Sequence, residues 1–155
     1  MRNAAAKGHL AVVNALLEAG ADIDDAPEDG ITPLLEAAQK GHEAVVKALL
    51  DAGADANKAD HKGFTPLQVA TQEGHEAVVK VLLDAGADIH KTDSKNNTVL
   101  MVAVFCDHLA VVEALLEMGA DAKVMRNNGE TALSIAMRDG KAAIVAALQR
   151  HERSG

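Results

Sequence analysis

GHEAVVKALLDAGAD, residues 41–55, is written again as GHEAVVKVLLDAGAD at residues 74–88, with Val81 in place of Ala48 as the single change. The 33-residue spacing holds along nearly the whole chain. Gly20-Ala21-Asp22, Gly53-Ala54-Asp55, Gly86-Ala87-Asp88 and Gly119-Ala120-Asp121 form one ladder. Thr32-Pro33-Leu34, Thr65-Pro66-Leu67, Thr98-Val99-Leu100 and Thr131-Ala132-Leu133 form a second, and Gly8-His9, Gly41-His42, Gly74-His75, Asp107-His108 and Gly140-Lys141 a third. Five repeats follow: 1–28, which is incomplete, then 29–61, 62–94, 95–127 and 128–155, expected to form a single domain over residues 1–155.

Each repeat has a physical reading of its own. Thr32 offers an N-cap hydroxyl, and Pro33 sits at the first helical position, where its missing N–H costs nothing. A short helix is predicted from there to about Lys40. Gly41 supplies the positive φ of a tight turn, and a second helix carries Val45, Val46, Leu49 and Leu50 on one apolar stripe until Gly53 stops it. The stretch from Gly53 to Gly63 is polar and turn-rich, as a projecting loop or hairpin would be. A repeat this short cannot bury its own stripe, so neighbours must stack, and each copy resembles the next because it must fit against it.

Composition narrows the functional classes. The chain is 48% apolar and 25% charged, yet it has no Trp or Tyr and two Phe, so its core must be Ala, Val and Leu on closely packed helices. A net charge of −8 without a Lys/Arg cluster argues against a nucleic-acid or anionic-membrane surface. No apolar run approaches the roughly 20 residues of a membrane span, and MRNAAAKGHL lacks a signal-type segment. The single cysteine, Cys106, cannot form an internal disulfide. An intracellular, cytoplasmic protein is expected.

The ladders resemble those of ankyrin repeats, whose copies read roughly DGxTPLHxAAxxGHxxVVxxLLxxGADxN, from residue 1 to about 150. The resemblance implies an α-solenoid: a curved stack of helix-turn-helix modules with short β-hairpin loops, binding other proteins through the hairpin tips and the inner, first helices. There are departures. Met1 stands where the first Leu of the first helix belongs, so the first repeat lacks Thr-Pro and hairpin, as a shortened cap or a cut from a longer array would. Gln149 replaces the second Leu of the last pair and Arg150-His151-Glu152-Arg153 follows, an ending suited to a solvent-facing cap. The His after Thr-Pro-Leu is absent, with Leu35, Gln68, Met101 and Ser134 in its place, so the inter-repeat hydrogen bonds that the resemblance implies for that His are not expected to carry over.

Metal and catalytic chemistry find little support. His9, His42, His75 and His108 recur at the repeat period, so stacked helices hold them roughly 8 to 10 Å apart, too far to share an ion. Cys106-Asp107-His108 are consecutive and do not converge as nucleophile, base and orienting acid. No phosphate loop or zinc spacing occurs. No enzyme, no metal and no cofactor is expected. The resemblance also implies a hydroxylation position, where Asn57 stands beside Asp24, His90 and Lys123 in the other copies.

What remains is surface. In the family, residues around the hairpin turn and before the inter-helix Gly are free to serve a partner. Here that set comprises Ile31, His61, Lys62, Phe64, Lys95 and Asn97 on the hairpins, and Gln39, Lys40, Gln72, Glu73, Phe105, Cys106 and Arg138 on the first helices, with Met101 added from the irregular fourth repeat. Both aromatics of the chain, Phe64 and Phe105, fall in it. The expectation is a non-enzymatic module that binds a protein partner and neither nucleic acid nor membrane. The alternatives are a scaffold segment, a designed repeat protein, or a module that self-associates end to end instead of staying monomeric.

Overall fold

The computed structural model describes residues 1–154 of the chain. Thr32 has an extended backbone and its hydroxyl accepts from the Leu35 N–H at 3.1 Å, so α1 (Arg2–Ala6) and α2 (Leu10–Glu18) are followed by α3 (Pro33–Lys40) in the predicted register. Gly41, at φ +75°, turns the chain into α4 (Glu43–Asp51). The next copy repeats the pattern as α5 (Pro66–Glu73) and α6 (Glu76–Asp84). Then come α7 (Val99–Phe105), α8 (Leu109–Glu117), α9 (Ala132–Arg138) and α10 (Ala142–Ser154). Val99 and Ala132 replace the N1 proline without moving the helix start, because Thr98 and Thr131 still cap it.

The residues standing where the family has His find a local use. Gln68 reaches back to the Thr65 N–H at 2.9 Å while the Thr65 hydroxyl accepts from the Gln68 N–H, and Ser134 does the same for Thr131. Both are capping boxes, which satisfy two otherwise orphaned donors at a helix start.

The chain divides into two compact units, Met1–Ala87 and Asp88–Gly155. In the N-terminal unit the first helices α1, α3 and α5 pack side by side, and α2, α4 and α6 form a second layer behind them. Val13, Leu34, Val46, Leu49, Leu67, Val79 and Leu82 fill the space between the layers. In the C-terminal unit α7 packs on α8 and α9, and α10 on α8 and α9, around Leu100, Val104, Val112, Leu115, Ile135, Ile144 and Leu148. No aromatic residue enters either core, as the composition requires. The loops fold as tight hairpin turns: the Asp60 N–H donates to the Phe64 carbonyl at 3.0 Å and the Asp93 N–H to the Asn97 carbonyl at 3.2 Å. Among the described residues no strand ladder forms, because each hairpin is one turn wide.

The histidine ladder is structural. The His42 ring lies against Gly8 with Nε2 3.0 Å from the Ala6 carbonyl, and the His75 ring lies against Gly41 with Nε2 3.0 Å from the Gln39 carbonyl. Each ring thus closes a carbonyl left open at the end of the preceding first helix. One buried group in the N-terminal unit is unsatisfied: the Thr71 hydroxyl has no hydrogen-bond partner, where the second repeat has Ala38 and the fourth Val104. Thr71→Val keeps the shape and removes the orphaned hydroxyl, and should raise stability by about 1 kcal/mol in denaturant unfolding. A loss of stability in that variant would mean the hydroxyl is bonded in solution.

Candidate protein-binding surface

In the N-terminal unit, six of the expected residues meet. Ile31, Gln39, Lys62, Phe64, Gln72 and Glu73 line a groove of about 250 Å³ whose floor adds Leu35, Asp60 and Val69. The hairpin aims Phe64. Asp60 Oδ1 accepts from the N–H groups of Lys62 and Phe64, both at 2.9 Å, and this fixes the turn that carries the ring out to 42% exposure. Lys40 and His61 lie apart from the groove: Lys40 is exposed at the end of α3, and His61 lies beside Gly30, with its N–H 3.2 Å from the Asp29 carbonyl.

In the C-terminal unit, Phe105 closes α7 at 37% exposure with the Arg126 guanidinium 5.4 Å from its ring centroid, a cation–π contact. Arg126 stands where earlier hairpins have Asp60 and Asp93. Asp93 Oδ1 accepts from the Lys95 and Asn97 N–H groups at 2.8 and 2.9 Å. An arginine cannot accept these bonds, so Asn128 takes over by accepting from the Glu130 N–H at 3.2 Å, and the guanidinium is left to pack on Phe105. Glu130 pairs with both Arg126 and Arg138, and Arg138 also with Asp139 at 2.8 Å. The Asn128 amide, then Arg138 and Arg126, hold the Glu130 carboxyl below the usual range; Asp139, bonded to Arg138, shifts the same way. Burial opposes ionisation of Asp93, but hydrogen bonds from Asn97 and Lys95 outweigh it and lower its pKa.

Met101 corrects the expectation. It is 1% exposed, at the register of Leu35, which is itself 2% exposed and reaches only the floor of the groove, so Met101 is not an exposed contact. Lys95 is exposed, Asn97 and Cys106 are half-buried, and Asn97 donates to Asp93 Oδ2 at 2.7 Å. Sequence reasoning passed over Leu35, Asp60, Val69 and Arg126. The break in the Asp60/Asp93 ladder at Arg126 was the available signal for the last.

The family model described as ankyrin repeats (3 copies) matches residues 1–93, and a second, ankyrin repeats (many copies), matches residues 82–136. The chain belongs to the ankyrin-repeat family. Its fold class is therefore the α-solenoid of that family, whose members are in general protein–protein interaction modules and typically not enzymes. No curated protein matches the chain. Among the described residues of this ankyrin-repeat chain no helix is long and apolar enough to cross a membrane, and no three His, Cys, Asp or Glu residues gather as a metal site.

Proposed function

We propose that the chain is a non-enzymatic binding module acting in the cytoplasm as one domain, and that the groove beneath Phe64 receives an apolar side chain of a protein partner. The observation that carries the reading is Phe64 itself. A ring held out by an ordered hairpin, over a groove whose floor joins Leu35 and Val69 to Asp60, leaves roughly 1 kcal/mol of burial unclaimed until a partner covers it. The hairpin and α3 are ordered before binding, so the partner meets a preorganised surface. Phe105 with Arg126 serves as the second contact.

Capture from a lysate of the source organism by intact protein, Phe64→Ser and Phe105→Ser compares partner loss with folding. Proteins held by the intact form should be lost by the variants, whose unfolding should change by only about 1 kcal/mol. Retention of the same proteins by both variants, or a destabilisation of several kcal/mol, would sink the reading.

A further inference from the structure

Two repeats after the Phe64 groove, the same register positions are filled by side chains that satisfy one another. Gln39, Asp60 and Phe64 have Phe105, Arg126 and Glu130 as counterparts, and Gln72 and Glu73 have Arg138 and Asp139. In the C-terminal unit the Arg126 guanidinium lies 5.4 Å from the Phe105 ring centroid, with its Nη1 3.4 Å from Glu130 Oε2, while Arg138 pairs with Glu130 and Asp139. A planar cation, an aromatic face and carboxylates meet there, and the charges of the set cancel.

The groove of the N-terminal unit keeps a ring and two carboxylates but has no guanidinium. Phe64 supplies the exposed ring, and Asp60 and Glu73 both line the groove. Asp60 Oδ1 accepts from the Lys62 and Phe64 N–H groups, but among the described residues nothing donates to Oδ2. Asp93 shows what is missing. Its Oδ2 accepts from the Asn97 side-chain amide at 2.7 Å, and Phe64, which stands at the position of Asn97, has no side-chain donor. Glu73 likewise meets no donor among the described residues, and Lys62, the one cation lining the groove, pairs with neither acid. The groove is left with an excess of negative charge beside an uncovered aromatic face.

A neutral apolar side chain on its own leaves both uncompensated. Arginine suits them together: its planar, weakly hydrated cation stacks on aromatic faces, and its fork of N–H donors fits carboxylates. Lysine has neither the plane nor the fork. We infer that the partner segment carries an arginine beside the apolar side chain, and that the guanidinium covers Phe64 and donates to Asp60 Oδ2 and Glu73. This rests on the partner-binding reading and names the chemistry of what is bound.

In the test, short random peptides displayed on phage are selected on the intact protein and counter-selected on Phe64→Ser. Peptides that need Phe64 should carry an arginine, and the tightest of them is synthesised with arginine, lysine or citrulline, the neutral isostere, at that place. In calorimetric titrations lysine and citrulline should each weaken binding about tenfold or more. The arginine peptide, unlike the citrulline one, should lose affinity between about 20 and 300 mM salt. Asp60→Asn keeps the Oδ1 that fixes the hairpin and replaces only the open oxygen, so it should weaken the arginine peptide about tenfold and the citrulline peptide less than about twofold. Glu73→Gln repeats the lesion at an exposed site outside the hairpin, and Asp84→Asn, exposed at the end of α6, is the charge control expected to change nothing. Far-ultraviolet circular dichroism checks that every variant is folded. Phe64-dependent peptides without arginine, or equal binding of the arginine and citrulline forms, would overturn the inference and leave the partner-binding reading standing. The absence of any Phe64-dependent peptide would overturn that reading and this inference with it.

Discussion

Gly41→Ala should cost about 2–5 kcal/mol, because two separate penalties fall on one methyl group. The backbone there is at φ +75°, where an L side chain is disfavoured by roughly 1–2 kcal/mol. The new Cβ would also come to 2.7 Å from Nδ1 and Cε1 of His75, far inside van der Waals contact. To escape, the ring must leave the Gln39 carbonyl it now bonds at 3.0 Å, and overpacking of this kind typically costs about 1–3 kcal/mol. Gly53→Ala is the matched control: it is at φ +95° with open space around the added atom, so only the backbone penalty of about 1–2 kcal/mol applies. Denaturant unfolding should separate the two variants by 1 kcal/mol or more. In a His75→Ala background, Gly41→Ala should fall to the cost of the control. Equal losses for Gly41→Ala and Gly53→Ala in the wild type would mean that the ring yields freely and the seat is unimportant.

The same glycine shows how far the sequence could be read. Its turn was legible because Gly41 follows a complete helix signal, from the Thr32 cap and Pro33 to Lys40, and each of those features acts locally. The stripe of Val45, Val46 and Leu49 was legible because burial of a helix face follows from spacing alone. The second duty of Gly41, to make room for His75, was not, since it depends on how one repeat seats on the next. Met101 was misplaced for a related reason: it lies one turn before Phe105 on the same face of α7, and its 1% exposure comes from packing that spacing within one helix does not report. Groove residues such as Leu35 and Val69 come from two repeats and converge only in the fold. Phe64 was found because a lone aromatic on a turn departs from a periodic pattern.

Lys141→His should destabilise the C-terminal unit by about 2 kcal/mol even though it restores the residue of the ladder, and Asp107→Gly should remove most of that cost. Asp107 occupies the turn position of Gly8 and Gly41 and holds φ +63°, which aspartate tolerates better than most residues. Its Cβ, however, lies where Gly8 and Gly41 leave room for a histidine ring. Lys141 resolves the conflict. Its ammonium donates to the Phe105 carbonyl at 2.9 Å and to that of Val104 at 2.6 Å, and Phe105 is the counterpart of Ala6 and Gln39, whose carbonyls the histidines serve. The long, unbranched lysine reaches the same acceptor from beyond the obstructing Cβ. The departures at Asp107 and Lys141 are therefore one coupled change and not two independent drifts. In a double-mutant cycle the coupling energy should be about 1–3 kcal/mol, with the Asp107→Gly/Lys141→His pair more stable than Lys141→His alone. Additivity within about 0.5 kcal/mol would show that the two positions changed separately.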